Sequence, residues 1–428
     1  MYRIILLAAV IFIGCTTQNI KTSDKEVLKT IKQYVENQDY FKLKAYYEKH
    51  NVALAKSHQM YYKAIIHNVF NNAEESNKAI ELLLKEDLSV LDDTLMNEIY
   101  KIKIFNHVNL YEYADAASAS KFVQENYSNL NDSVQLENLA NEYKIWNALA
   151  GAPKQQIVKA EDVRIPMNRD KVGLFNIDVD INTITKNFIF DTGANFSVIS
   201  KSLAEKMGIE IIDVDFFVTA ATGKKVKSSL AIIDKLSIQG LVCRNAVFLV
   251  FDDEYISFPQ IDYYVNGIIG FPIIEALDEI RINKENEITV PIEPKQYTYQ
   301  NFALDGLMPI IAVKYENDTL IMHFDTGAAS TTLYSPFYDK YKDEITQKYE
   351  LQKFSSASAS GAVEFEVYIV DSIILSVANS SATLQKLQLH KDRIGNKSSN
   401  FHGNFGQDYI KQFDEMIISF KSSSLLFK

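Results

Sequence analysis

The pentapeptide Phe-Asp-Thr-Gly-Ala occurs twice in this chain, at 190–194 and again at 324–328, an offset of 134 residues. Each copy follows a short, largely apolar run. A second pattern lies downstream of each copy. Val265-Asn266-Gly267-Ile268-Ile269-Gly270 is followed by Ile274, Asp278, Glu279 and Ile282, and Phe401-His402-Gly403-Asn404-Phe405-Gly406 by Ile410, Asp414, Glu415 and Ile418, all at an offset of 136. Between the two patterns lie Ala220-Ala221-Thr222-Gly223 in one case and Ser358-Ala359-Ser360-Gly361 in the other, small-residue turns between strand-like runs. Three features in one order at a nearly constant offset mark a duplicated unit the size of a small domain. Matched loops on matched halves can meet across an approximate twofold axis, so Asp191 and Asp325 are expected face to face.

Glycine and proline divide the rest of the chain. From Cys15 to Ala150 there is neither, whereas all eight prolines and every glycine but Gly14 lie from Gly151 onward. The breaker-free stretch favours helices and the remainder has the punctuation of strands and turns. Apolar stripes at helical spacing run through Val27, Leu28, Ile31, Tyr34 and Val35, through Tyr62, Ile65, Ile66, Val69 and Phe70, and through Ala79, Ile80, Leu83 and Leu84. Leu95, Ile99 and Ile102 form a fourth, and Leu136, Leu139, Ala140 and Tyr143 another. Asn71-Asn72, Asp92-Asp93 and residues 129–132 read as turns or N-caps. About six to eight paired helices fit 24–150. Their arrangement weakly resembles a tetratricopeptide-type solenoid, without a clean fixed period; an irregular bundle fits equally well.

Strand-like segments occupy 172–184, 188–190, 198–200, 231–233, 247–251 and 280–282. After a connector near Pro291 to Pro294 come 310–315, 320–324, 364–370, 373–375 and 416–420. The expected fold is therefore multidomain: an all-α repeat or bundle at 24–150, then a mainly-β bilobal region with lobes at 156–290 and 298–428.

Charge and cysteines narrow the class. A net charge of −11 argues against a general nucleic-acid binder, which needs a basic face. Arg3, the apolar run 4–13, Gly14-Cys15 and a polar stretch at 16–19 resemble a bacterial lipoprotein signal peptide, with Phe12 in place of the usual Leu three residues before the Cys. The run is too short to span a bilayer as a helix. The resemblance implies cleavage before Cys15, its lipidation, and a lipid-anchored protein of the cell envelope; an ordinary secretory signal is the alternative. Cys243, the other cysteine of the two, then has no intrachain partner and reads as a small core residue.

Two facing carboxylates cannot both ionise easily, so they share a proton and titrate as a unit. The ionised one can take a proton from water while the protonated one polarises a carbonyl.

The ordered set of strand, Asp-Thr-Gly-Ala, hairpin and hydrophobic-hydrophobic-Gly segment resembles the subunit of retropepsin-like aspartic proteases, here as two lobes fused in one chain, over about residues 156–428. The resemblance implies an aspartic endopeptidase with Asp191 and Asp325 catalytic, and Thr192, Gly193, Thr326 and Gly327 supporting them. Flaps near 219–226 and 357–363 would include Thr222, Gly223, Ser360 and Gly361 and would close over an extended polypeptide bound as an added strand. Gly270 and Gly406 would let backbone pass close behind each loop. No cofactor and no metal are implied. The flaps lack the Tyr typical of pepsin-like enzymes and both motifs end in Ala, two retropepsin-like traits. Asn404 departs from the pattern by occupying the first aliphatic position of its segment, which questions the packing behind Asp325.

Other readings remain beside this one. The fold can serve as a catalytically inactive peptide-binding module, and the helical region as a protein-interaction scaffold that binds a partner or covers the groove. His323 lies on the same strand face as Asp325, yet a dyad needs no further base, so it reads as a packed strand residue. The remaining histidines lack ligand spacing for zinc.

Overall fold

A computed structural model of the chain describes residues 22–85, 92–219, 225–358, 361–393 and 400–428. The N-terminal segment with Cys15 lies outside them, as do Thr222, Gly223 and Ser360.

The N-terminal region is helical and the remainder is mainly β, as the glycine and proline distribution predicts. Seven α-helices are described in that first region: α1 (Lys25–Glu36), α2 (Tyr40–His50), α3 (Lys56–Val69), α4 (Ala73–Leu84), α5 (Asp93–Asn109), α6 (Tyr113–Asn126) and α7 (Ser133–Ala148). Their starts match the capping signals. Asp24 accepts from the backbone N–H groups of Glu26 and Val27, Asp92 from that of Leu95, and Asp132 forms a reciprocal capping box with Gln135. Consecutive helices pack on one another. Their apolar stripes do not close a core among themselves. Ile31, Leu43, Tyr62, Ile65, Ile80, Leu83 and Ile99 share a buried cluster with Ala303, Ile310, Ile321 and Phe401. The later helices bury Ile104, Ala116, Val123, Leu139 and Trp146 against Val198, Phe216, Leu230, Val247 and Leu249. The β region thus completes both helical cores. Among the described residues no helix is long and apolar enough to cross a membrane.

The β region holds two large sheets, of nine and eight strands. In the first, strand Ile184–Phe190 runs parallel to the short strand Gly267–Ile269, with Ile268 opposite Ile189 and Ile269 opposite Phe190. The same short strand pairs antiparallel with Ser197–Ser200. In the second, Asp318–Phe324 runs parallel to Gly403–Phe405, with Met322 opposite Gly403 and Phe324 opposite Phe405, and Gly403–Phe405 pairs antiparallel with Thr332–Leu333. The chain therefore leaves each strand into its Asp-Thr-Gly loop and returns beside it, and the Gly-containing strand is wedged between the two limbs.

A third sheet of five strands joins the halves. Glu279–Asn283 and Glu415–Ser419 pair antiparallel with Ile280 opposite Ile418, Arg281 opposite Ile417 and Ile282 opposite Met416. Arg281 and Ile417 are equivalent positions of the repeat, so the approximate twofold axis passes through that pair. Val163–Pro166, Glu287–Val290 and Ser424–Phe427 complete this sheet.

Two local expectations change. The β-rich run 172–184 is a hairpin: Phe175–Ile181 turns at Asn182 and Thr183, whose φ values are 47° and 68°, into Ile184–Phe190. Helix Ser335–Lys348 comes after the second loop, where the first half has only Lys201–Lys206. Its few buried positions, chiefly Phe337 and Ile345, leave too weak an apolar stripe to be read among its charges.

Candidate active site

The two Asp-Thr-Gly loops meet. Each is pinned to its own sheet by the same contact: Asp191 N–H donates to Ile269 C=O and Asp325 N–H to Phe405 C=O, both at 3.1 Å. The two threonines then cross. Thr192 N–H donates to Thr326 Oγ1 and Thr326 N–H to Thr192 Oγ1, each at 3.0 Å. Each hydroxyl in turn donates to the opposite strand end, Thr192 to Phe324 C=O at 3.3 Å and Thr326 to Phe190 C=O at 3.2 Å. Both threonines are buried, so four backbone groups at the junction are satisfied by the other half rather than by water.

Glycine is required here for close approach. Neither Gly193 nor Gly327 has a positive φ, so turn conformation is not the reason. A Cβ on Gly193 would lie 2.7 Å from Asp325 Cγ, and one on Gly327 2.5 Å from Asp191 Cγ. Each loop passes against the other loop's carboxyl. Gly193 N–H donates to Asp191 Oδ1 and Gly327 N–H to Asp325 Oδ1, both at 2.8 Å.

The aspartates are half-buried and within hydrogen-bonding reach of each other. Burial, and next the negative charge of Asp325, hold the Asp191 carboxyl well above the usual carboxylate range, while the Gly193 N–H pulls the other way. The pair thus retains one proton under conditions where an isolated aspartate has lost it. Burial and the charge of Asp325 push the phenol of Tyr334 up to about 12, so it stays neutral beside the pair.

A matched outer layer holds the loops. Ser197 Oγ accepts from Gly270 N–H and Thr331 Oγ1 from Gly406 N–H, both at 3.0 Å. These two hydroxyl residues are themselves 134 apart, so the repeat offset alone is the signal that finds them. Other supports are one-sided. Asn404 Nδ2 donates to Asp325 Oδ2 at 2.7 Å. The sequence marks its unusual position and questions the packing behind Asp325, but does not show this contact, which places a donor at the carboxylate. The buried Gln407 donates from Nε2 to Thr326 C=O at 2.6 Å and accepts from Arg169 Nη1 at 2.5 Å, while the Arg169 guanidinium lies 4.0 Å over the Phe175 ring. Arg169 comes from the first half and Gln407 from the second, so this chain of contacts also bridges them.

Hairpins stand at both expected flap positions. Ile211–Thr219 pairs with Lys225–Ile238, out to Thr219 opposite Lys225. Leu351–Ser358 pairs with Gly361–Val377, out to Ser358 opposite Gly361. The helical region braces the first: Phe217 N–H donates to Asn141 Oδ1 at 3.3 Å, Lys144 Nζ to Asp215 C=O at 2.6 Å, and Lys225 pairs with Glu137. Trp146 stacks on Phe196, just beyond the first Asp-Thr-Gly, with ring centroids 5.8 Å apart.

His323 is buried and packs edge-on against Phe401, centroids 4.6 Å apart. Cys243 is buried and unbridged, its thiol pushed up to about 12 by burial. Among the described residues, His107, Glu112 and Asp115 come within ligand distance of one another. Glu112 is already engaged within the chain, by His107 Nδ1 at 2.9 Å and Lys154 Nζ at 2.7 Å.

No curated protein matches the chain. A family model described as aspartyl protease matches residues 177–273, a span that holds Asp191, its loop and the Gly267–Gly270 segment.

Proposed function

We propose that the protein is an aspartic endopeptidase in which Asp191 and Asp325 act as one dyad on a water molecule. The observation that carries this reading is the reciprocal threonine cross-brace, which holds two carboxyls together although their mutual repulsion opposes it. Such strain is retained where a shared proton is useful. One carboxylate takes a proton from water as its oxygen attacks the scissile carbonyl carbon. The other gives its proton to the carbonyl oxygen, forming a neutral tetrahedral diol. Collapse returns a proton to the carboxylate side and delivers one to the departing amine nitrogen as the C–N bond breaks. An extended polypeptide would lie between the two hairpins and add main-chain hydrogen bonds to them.

The division into a helical domain at 24–150 and retropepsin-like lobes at 156–290 and 298–428 belongs to the same proposal, supported by the twofold pairing at Arg281 and Ile417. So does attachment to the cell envelope through lipidated Cys15, which rests on the N-terminal sequence pattern alone. Replacing Cys15 with Ser should release the protein from membranes into the soluble fraction; unchanged membrane association would contradict the anchor.

Digestion of a peptide library from acid to neutral pH, comparing wild type with Asp325→Asn, tests the activity. Cleavage by wild type and none by the folded variant is expected. Saturable peptide binding without turnover at any pH would favour the inactive binding module instead.

A further inference from the structure

The cross-brace, the glycine N–H donors and the hydroxyls behind the loops obey the approximate twofold symmetry. Among the described side chains that hydrogen-bond a carboxyl of the pair, the symmetry fails at Asn404. Asn404 sits in the middle of Gly403–Phe405, held on both sides by pairing with His323 and Thr332. Its neighbours Gly403 and Phe405 are buried, and alternation turns Asn404 to the other face, where its Nδ2 reaches Asp325 Oδ2 at 2.7 Å. The equivalent residue in the first half is Ile268, which has no donor to offer Asp191.

An ionised carboxylate only accepts hydrogen bonds, and a donor fixed against it favours the ionised form. Each aspartate accepts the N–H of its own loop's glycine at 2.8 Å, and the Gly327 N–H also acts on Asp191, so the backbone donors do not single out Asp325. Around Asp325, among the described residues, lie Asp191 from the opposite loop, the neutral Tyr334 phenol, and His323 two residues back on the entering strand, buried edge-on against Phe401. The Arg169 guanidinium is linked to the loop through Gln407 and Thr326 C=O. Asn404 is therefore the described side chain that donates to one acid and has no donating counterpart at the other.

We propose that Asn404 is a positioning residue that assigns the dyad's roles: its amide holds Asp325 as the ionised, proton-accepting partner and leaves the shared proton on Asp191. Asp325 then takes the proton from water, and Asp191 protonates the carbonyl oxygen. The opposite amide orientation would set Asn404 Oδ1 against Asp325 and put the proton there, an outcome that the titration below separates. The catalytic consequence rests on the endopeptidase reading; the proton assignment does not.

The test is a pH titration of the full chain labelled with 13C at the Asp side-chain carboxyls, with Asp191→Asn and Asp325→Asn identifying the two resonances. In wild type the Asp325 resonance should move in the first ionisation, with Asp191 protonated until the second. Asn404→Leu, close in volume, should raise the first step by about one unit and make both resonances move together. Asn404→Gln, which keeps the donor, should restore the order. The exchange Ile268→Asn with Asn404→Leu should transfer first ionisation to Asp191. On any substrate cleaved, Asn404→Leu should shift the acid limb of kcat/KM up by the same unit, about a tenfold loss below it. Wild-type titration with Asp191 ionising first, or an unchanged order in folded Asn404→Leu, overturns the assignment even in an active protease. Ordered titration in a protein that never cleaves peptides sustains it and removes the endopeptidase reading instead.

Discussion

Thr192 and Thr326 each donate a backbone N–H to the other's hydroxyl at 3.0 Å, and each hydroxyl donates onward to the strand that leads into the opposite loop. The relationship makes each half's loop geometry depend on the other half. Replacing Thr326 with Val keeps the volume but strands the Thr192 N–H and Phe190 C=O in a buried site. A loss of about 1–3 kcal/mol in denaturant unfolding is expected, accompanied by a fall in cleavage. Thr326→Ser, which keeps the hydroxyl, should recover most of both.

Gly193 and Gly327 lie against the opposite carboxyls with no room for a methyl group. In Gly193→Ala the added carbon must displace Asp325 or its own loop by a substantial fraction of an ångström. Misplacement on that scale costs about a hundredfold in rate. Activity should therefore fall by about that factor while the circular dichroism spectrum is preserved. A variant with near wild-type kcat/KM would show that the loops are not in contact as described.

The raised Asp191 carboxyl makes stability fall with rising pH. A group whose folded pKa exceeds its unfolded value of about 3.9 binds more protons folded than unfolded. Its contribution is fully present below that unfolded value and is lost as pH rises through the elevated folded one. Asp191→Asn removes the effect. The difference in Tm between variant and wild type should be small in acid and grow in the variant's favour toward neutral pH. Half-buried Glu275 and Glu142, also raised by loss of solvent, act in the same direction in both proteins and cancel in the comparison.

Trp146 lies between Tyr113 and Phe196, and the surrounding cluster mixes helical residues with Val198, Phe216 and Leu249 of the first sheet. Trp146→Ala should destabilise the whole protein by about 3–5 kcal/mol. Residues 151–428 alone would expose both shared apolar faces and should aggregate or melt at lower temperature than the full chain. Hydrogen exchange in Trp146→Ala should also quicken at Ile211–Thr219, the hairpin strand braced by α7.

Much of the fold is legible in the sequence because the repeat is strict where chemistry and backbone leave no choice. The helix-to-strand change can be read from where glycine and proline begin, and the helix starts from Asp92 and Asp132. The meeting of Asp191 and Asp325 is implied by nearly equal offsets in matched motifs. The features that escape depend on three-dimensional neighbours that no period encodes. The helical stripes look like a self-contained domain, since nothing in their spacing reveals that Ala303, Ile310 and Phe401 complete their core. Helix Ser335–Lys348 carries too few apolar residues to announce itself. Asn404 registers as a departure, but only the parallel pairing with His323 turns its amide onto Asp325.

The most direct test of the central claim compares peptide-library cleavage by wild type, Asp191→Asn, Asp325→Asn and the double variant across acid to neutral pH, all verified as folded. If the two carboxyls work as one unit, each single variant loses as much activity as the double, because half a dyad has no function to lose further. Substantial cleavage by either single variant, with additive loss in the double, would contradict the shared-proton dyad.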